Sequence, residues 1–307
     1  MKRDFLTLDA LSRAELDEIL HLSATLKREL KAGRRQPLLA GKTLAMIFEK
    51  PSLRTRVTFE VGMTQLGGYA VYLTTTDFRL GERESVADIA RNLERWVDVI
   101  MARTFSHATI TELAATARVP VINGLSDLRH PCQVLSDCFT LLEHRGRLDG
   151  LRVAWIGDGN NVANSWIAAA MRFGFTFAIA CPKGYEPDAA LVAAARQAGA
   201  AVIVTNDVAE AAAGADVLYT DAWTSMGQEA EAAARRTIFA AYQINAGALR
   251  HAKPDVVVMH CLPAHRGEEI TDEVIDGPHS IVFDQAENRL HVQKGVLVWL
   301  HNQVSRH

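Results

Sequence analysis

Five residues carry the first sign of chemistry. Ser52-Leu53-Arg54-Thr55-Arg56 follows an apolar run that ends at Phe48, and a helical pattern opens near Arg54. A helix start presents free backbone N–H groups and a positive dipole end. Ser52 and Thr55 add hydroxyls, and Arg54 adds a planar fork that fits phosphate. This would make a phosphate cradle without a glycine-rich loop. The plainer use of the same residues is Ser52 as a helix cap beside two solvated arginines.

Three further segments contain reactive types. His130-Pro131-Cys132-Gln133 sets an imidazole and an amide near a helix start, where an imidazole can stabilise charge growing on a carbonyl oxygen. A packed or capping histidine is the simpler alternative. His260-Cys261-Leu262-Pro263-Ala264-His265-Arg266-Gly267 joins a thiol to an imidazole, which allows a nucleophile, a base or a metal ligand. No second cluster completes a metal site there, and a buried cysteine with surface histidines would look the same. Asp221 opens a segment that runs to Ser225-Met226-Gly227. Its carboxylate could bind an ammonium group, or it could simply cap a turn. Gly157-x-Gly159 after a strand hints at a dinucleotide fingerprint, but Asn160-Asn161-Val162 breaks the remaining spacing.

Chemistry of this kind needs elements to hold it. Ten short apolar runs read as strands: Thr43–Phe48, Ala70–Leu73, Asp98–Ala102, Val119–Ile122, Leu151–Ile156, Phe175–Ala180, Ala201–Val204, Asp216–Thr220, Asp255–Met259 and Ser280–Phe283. Several are continuous rather than alternating, as in parallel sheets covered on both faces. Helical patterns lie between them. The clearest places Val86, Ile89, Leu93, Trp96 and Val97 at helical spacing, with Ser85 as cap and Asp88 beside it. The fold expected is α/β, with two domains that divide near His144–Gly150. In open parallel sheets ligands bind beyond the carboxyl ends of the strands. The segments above, with Arg103, Asp127 and Asp221, all follow strand-like runs.

Composition bounds the partners. The 307 residues are 49% hydrophobic and carry a net charge of −3, which argues against a general nucleic-acid binder. Cys132, Cys138, Cys181 and Cys261 are too few and too scattered for a disulfide framework. The first twenty residues hold Asp4, Asp9, Glu15, Asp17 and Glu18, unlike a secretory or organellar leader. No run of eighteen apolar residues suggests a membrane span. A cytoplasmic protein is the expectation.

Read in order along the chain, these segments resemble the ornithine carbamoyltransferase family, within the aspartate/ornithine carbamoyltransferase superfamily. Ser-x-Arg-Thr-Arg (52–56) and His-Pro-x-Gln (130–133) look like the carbamoyl phosphate motifs shared with aspartate carbamoyltransferases. Asp-x-x-x-Ser-Met-Gly (221–227) and His-Cys-Leu-Pro (260–263) look like the pair that marks the ornithine branch. Phe48-Glu49-Lys50, Gly124-Leu125-Ser126-Asp127, Pro182–Pro187 and Ala286-Glu287-Asn288-Arg289 are similar too, so the resemblance spans essentially the whole chain.

The resemblance implies two domains, each a mainly parallel β-sheet flanked by helices. Residues 1–147 would bind carbamoyl phosphate, with the C-terminal helix 290–307 packed back on them, and 148–289 would bind ornithine. It implies citrulline formation in arginine biosynthesis, a homotrimer or a multiple of trimers with sites at subunit interfaces, and no metal or organic cofactor. Ser52, Leu53, Arg54, Thr55 and Arg103 would hold the phosphate, with Arg79 from a neighbouring subunit. Arg103, His130 and Gln133 would polarise the carbamoyl group, next to Pro131 and Cys132. Arg289 and the Cys261-Leu262 backbone would complete that site. Asn161, Asp221, Ser225 and Met226 would bind ornithine, and Arg103, His130, Asp221 and Cys261 would carry the chemistry.

Two positions depart from the pattern: Leu53 stands where a threonine is usual, and Arg79 where Gln or His is common, which leaves Arg83 as another reaching cation. Rival functions are a carbamoyltransferase for putrescine, acetylornithine or aspartate, a nucleotide-dependent oxidoreductase, and a non-catalytic relative. The oxidoreductase needs a ribose-binding acid at the end of the next strand, but that strand ends Ala180-Cys181-Pro182-Lys183.

Overall fold

The computed structural model describes residues 2–74, 80–81, 83–225 and 227–305. They form two compact units, Met1–Phe139 with Glu287–His307, and Thr140–Ala286.

The first unit alternates helix and strand in chain order: α1 (Arg13–Lys31), β1 (Thr43–Phe48), α2 (Leu53–Gln65), β2 (Tyr69–Thr74), α3 (Val86–Leu93), β3 (Val99–Arg103), α4 (His107–Thr116) and β4 (Val121–Leu125). Helix α5 (Pro131–Arg145) begins in this unit and ends in the second. The four strands are parallel, in the order β2-β1-β3-β4. Every residue of β3 and β4 is buried, which is why those runs are apolar without alternation. Ala45, Ile47, Ile100, Ala102 and Val121 pack with Ile89, Ile110 and Leu113 from α3 and α4 into one core.

The second unit contains β5 (Arg152–Ile156), α6 (Asn161–Phe173), β6 (Thr176–Ala180), α7 (Ala189–Gln197), β7 (Val202–Thr205), α8 (Val208–Ala212), β8 (Val217–Thr220), α9 (Ala232–Phe239), α10 (Ala246–Leu249), β9 (Val257–His260) and α11 (Asp272–Ile275). Its five strands are parallel, in the order β7-β6-β5-β8-β9. Ile156, Ala178, Leu218 and Val258 pack with Phe239, Ile244, Ile270 and Val274. The fold class is therefore α/β, with two parallel sheets flanked by helices.

Strand order places the sites. In the first sheet the chain leaves β1 toward β2 on one side, while β3 and β4 lie on the other. The second sheet reverses in the same way between β5 and β8. Crevices open at such reversals, beyond the strand carboxyl ends. Segment 52–55 and Arg103 flank the first reversal, and segment 157–161 and Asp221 flank the second.

Three expectations need correction. Ser280–Phe283 is not a strand: Ser280 makes a single bridge to Val258, and helix α12 (Val282–Ser305) has already begun. The C-terminal helix thus starts earlier than Arg289. Trp96 is 70% exposed, so the helical face ends at Leu93 and the tryptophan lies beyond it.

Candidate active site

In the first unit the N-terminus of α2 is built as its sequence suggests. Ser52 caps the helix, and its hydroxyl accepts from the Thr55 N–H at 3.2 Å. Thr55 is buried, Arg54 is half-buried, and Leu53 is 73% exposed. Leu53 can therefore serve a ligand through its backbone N–H without its side chain.

His130 lies just before α5 and is buried. Burial pushes its imidazole well below the usual range, and the guanidiniums of Arg289, Arg103 and Arg54 push it further. Three cationic side chains from α12, β3 and α2 thus converge on one neutral imidazole. Gln133 is held from both ends. Its Nε2 donates to Asp137 Oδ1 at 2.8 Å, and its Oε1 accepts from Arg289 Nη1. Because arginine only donates and a carboxylate accepts, these partners settle which way the amide points. Arg289 also donates to Thr55 Oγ1 at 3.1 Å. The Cys132 thiol turns into the core, 3.4 Å from the Asn123 carbonyl, and burial pushes it up to about 12. Cys132 is not a nucleophile, and only its backbone is left to meet a ligand. Pro131 is the buried first residue of α5.

In the second unit Asp221 follows β8. Its Oδ1 accepts from the Cys261 thiol at 2.9 Å and from the Ala222 N–H at 2.8 Å. Its Oδ2 accepts from Asn160 Nδ2 at 2.8 Å. Cys261 is half-buried, while the other three cysteines are buried. A second carboxylate stands close by. Asp158 is raised to about 6, chiefly by burial and in smaller part by Asp221, against the pull of Arg235. Asp158 is already ion-paired, which leaves Asp221 as the carboxylate placed to favour a cationic ligand. Arg235 pairs with Asp158 and donates to the Trp223 carbonyl, which ties down the loop after Asp221. Ser225 is half-buried, and its N–H donates to Gln228 Oε1 at 3.2 Å.

Asp221, His260 and Cys261 also come within 4.8 Å of one another, a grouping able to hold a soft divalent ion. Both His260 nitrogens are engaged elsewhere, by the Leu262 N–H at 2.8 Å and Glu269 at 3.0 Å. That leaves two donors, too few for a structural zinc site.

Both units match known proteins. Residues 3–143 match the family model described as aspartate/ornithine carbamoyltransferase, carbamoyl-P binding domain. Residues 149–300 match its Asp/Orn binding domain. An ornithine carbamoyltransferase of Carboxydothermus hydrogenoformans is 54% identical over 302 residues, covering 97% of either chain. The chain belongs to the aspartate/ornithine carbamoyltransferase family. Among solved structures, the ornithine carbamoyltransferase from Pyrococcus furiosus superposes with a TM-score of 0.93 at 51% identity, covering 96% of each chain. The anabolic ornithine carbamoyltransferase from Campylobacter jejuni gives 0.93 at 41% identity, covering 99% of this chain and 100% of that one.

The carbamoyltransferase fold also explains the glycines that suggested a dinucleotide. A Cβ on Gly159 would stand 2.2 Å from the Pro187 nitrogen and 2.7 Å from the Tyr185 carbonyl. The second glycine serves close approach of the 185–187 turn, whose backbone fills the space next to it. Of the expected residues, Arg79 and Met226 lie outside the described residues, and Arg83 is exposed. Asn161 is the first residue of α6, while Asn160 both caps that helix and meets Asp221. The sequence reading passed over Asn160, although an Asn pair before an apolar helix is a recognisable cap signal. It also passed over Asp137, Asp158, Arg235 and Glu269. Asp137 stands one helical turn from Gln133, a spacing the sequence does show, while Asp158 and Arg235 meet across 77 residues and Glu269 looks like surface charge.

Proposed function

We propose that this protein is an ornithine carbamoyltransferase, which moves the carbamoyl group of carbamoyl phosphate to the side-chain amine of L-ornithine. The products are L-citrulline and phosphate, within arginine metabolism. The observation that carries the reading is the convergence of Arg54, Arg103 and Arg289 on a neutral His130 at the strand ends of one sheet.

The first unit binds carbamoyl phosphate. The α2 N-terminus, Ser52, Leu53, Arg54, Thr55 and Arg103 hold the phosphate. His130 and Arg103 donate to the carbamoyl oxygen, with Gln133, Arg289 and the backbone of Pro131 and Cys132 around them. His130 acts as a neutral donor, and the guanidiniums supply the charge. The second unit binds ornithine through Asn161, Asp221, Ser225 and Met226. Leu262's own N–H is engaged, so Leu262 can offer the carbamoyl amide only its carbonyl. In water at neutral pH the ornithine amine is largely protonated and must lose that proton to react. Asp221, with Cys261 as its hydrogen-bond donor, orients the amine and receives the proton. The amine lone pair attacks the carbamoyl carbon, and the oxygen charge of the tetrahedral intermediate is met by Arg103 and His130. Collapse breaks the bond between the carbamoyl carbon and the phosphate oxygen, the proton still carried by the attacking nitrogen passes to that departing oxygen, and phosphate leaves onto Arg54, Arg103 and the helix end.

The same reading assigns the protein to the cytoplasm, where reduced cysteines persist, and Cys132, Cys138, Cys181 and Cys261 form no disulfide. Among the described residues no helix is long and apolar enough to cross a membrane. It also makes the protein a trimer or a multiple of trimers. Leu53, Val57 and Val61 are 73%, 44% and 37% exposed along one face of α2, an apolar stripe that a second copy would cover. A colorimetric citrulline assay with carbamoyl phosphate and a panel of ornithine, putrescine and acetylornithine tests the activity. Turnover fastest with ornithine is expected. No citrulline, or faster carbamoylation of putrescine, sinks the proposal.

A further inference from the structure

His260 and Glu269 are fully buried, and no step above uses either. His260 is the last residue of β9, directly before Cys261. Its Nδ1 accepts from the Leu262 N–H at 2.8 Å. A backbone N–H can only donate, so Nδ1 carries no proton and Nε2 does. That Nε2–H points at Glu269 Oε1, 3.0 Å away. The same carboxylate accepts from the His265 N–H. His260's own N–H donates to Gln285 Oε1 at 3.0 Å, and Gln285 donates to the Tyr219 hydroxyl at 3.0 Å.

These bonds surround a strained backbone. Leu262 is the one non-glycine residue with positive φ among the described residues, at 57°. A branched side chain seldom adopts that conformation, and it persists only where its surroundings impose it. The imidazole acceptor is the side-chain contact made to the Leu262 N–H in that conformation. An acceptor at Nδ1 requires the Nε2–H tautomer, and a carboxylate at Nε2 selects it. Cys261, whose thiol meets Asp221, sits between His260 and Leu262 and is fixed from both sides.

We propose that Glu269 and His260 are positioning residues: Glu269 sets the His260 tautomer, and His260 Nδ1 holds Leu262 so that Cys261 and the Leu262 carbonyl face the reacting groups. This rests on the carbamoyltransferase reading. Neither residue touches substrate. The pair is also why β9 can end in a histidine that is neither solvated nor a ligand.

Two substitutions separate positioning from simple support. An asparagine side chain reaches about as far as Nδ1 and can still accept from Leu262, but it loses Glu269. A glutamine reaches about as far as Nε2, so it keeps Glu269 satisfied and loses Leu262. A merely structural pair would favour His260→Gln, because that variant leaves no buried carboxylate without its partner. Positioning favours His260→Asn. The kcat for citrulline formation in His260→Gln should fall about 100-fold, as misplacement of a reacting group by an ångström does. His260→Asn should fall by a clearly smaller factor, with KM for carbamoyl phosphate little changed in both. Equal losses, or greater activity in His260→Gln, overturn the proposal. A second measurement needs no turnover and no variant. Imidazole 15N shifts of the wild-type protein should show His260 as the Nε2–H tautomer, and an Nδ1–H tautomer overturns the assignment. If the wild-type protein forms no citrulline, the reaction reading fails while the tautomer result still decides the His260–Glu269 lock.

Discussion

At residue scale the second unit hinges on one short contact, the Cys261 thiol on Asp221 Oδ1 at 2.9 Å. Removing the sulfur leaves Oδ1 with the Ala222 N–H alone, and the carboxylate loses the donor that fixes it on the Cys261 side. We expect Cys261→Ala to lower kcat for citrulline formation about 10²-fold, within the range for a disturbed proton-transfer group. Cys261→Ser keeps a donor and should lose less. An unchanged kcat in Cys261→Ala would remove the thiol from the mechanism. His130 gives a prediction with a sign. Burial and three arginines hold its imidazole far below the usual range, so it stays neutral through the working range. The pH profile of kcat should therefore show no limb near 6.5 that disappears in His130→Gln, while that substitution lowers kcat itself about 10²-fold or more. A limb near 6.5 that the substitution abolishes would mean that His130 titrates there and works as a cation.

At element scale the helices owe their places to features of unequal visibility. The start of α2 could be read from Ser52 and the arginines, because a cap is local chemistry. Strand order could not, because nothing within β1 or β5 states on which side its neighbour lies. Ser280–Phe283 is apolar and β-rich, yet a helix begins within it: Ile281, Val282 and Gln285 are buried while Phe283 and Asp284 between them are exposed, a helical rather than a strand spacing of burial. Trp96 misled in the opposite sense, since periodicity does not reveal where a helix stops. Helix α12 lies along α1 through Gly295, Trp299 and Asn288. Trp299 Nε1 donates to Glu18 at 3.0 Å, and Lys27 donates to Asn288 Oδ1 at 2.7 Å. A Cβ on Gly295 would lie 2.2 Å from Ser23 Oγ and 2.9 Å from the Ile19 carbonyl. The backbone cannot yield as a side-chain tip can, so Gly295→Ala should destabilise the protein by about 1–3 kcal/mol despite its better helix propensity. Denaturant unfolding checks this, and an alanine variant as stable as the parent would show that the two helices can part without cost.

At the scale of the whole molecule, what was legible follows from where information lies in a chain. Parallel sheets announce themselves through runs such as Val99–Ala102, and motif residues through unusual types at strand ends. The groups that aim those residues were not legible. Arg235 anchors the loop after Asp221 and Glu269 sits behind His260, and each acts on a partner that only the fold brings near, whereas Asp137 orients Gln133 from one turn along the same helix. The fold also buries titratable groups whose effect is felt by the entire first unit. His291 on α12 is drawn down to about 4, first by burial and then by the charge of Lys294. Its folded value lies below that of the unfolded chain, so as pH falls below about 6.5 the unfolded chain takes up the proton first. The stability this residue contributes is complete above that value and is lost progressively as pH falls from about 6.5 toward about 4. Allowing for solvent screening, the loss amounts to roughly 2 kcal/mol. His130, also held low, acts in the same direction. Melting temperature should therefore drop between pH 7.5 and pH 5, and the drop should shrink in His291→Gln. Carboxylates paired in the folded state away from His291, such as Glu15, lose stability at lower pH and are common to both proteins. The difference between the two melting curves isolates the imidazole, and parallel curves would mean that His291 is protonated in the folded protein without penalty.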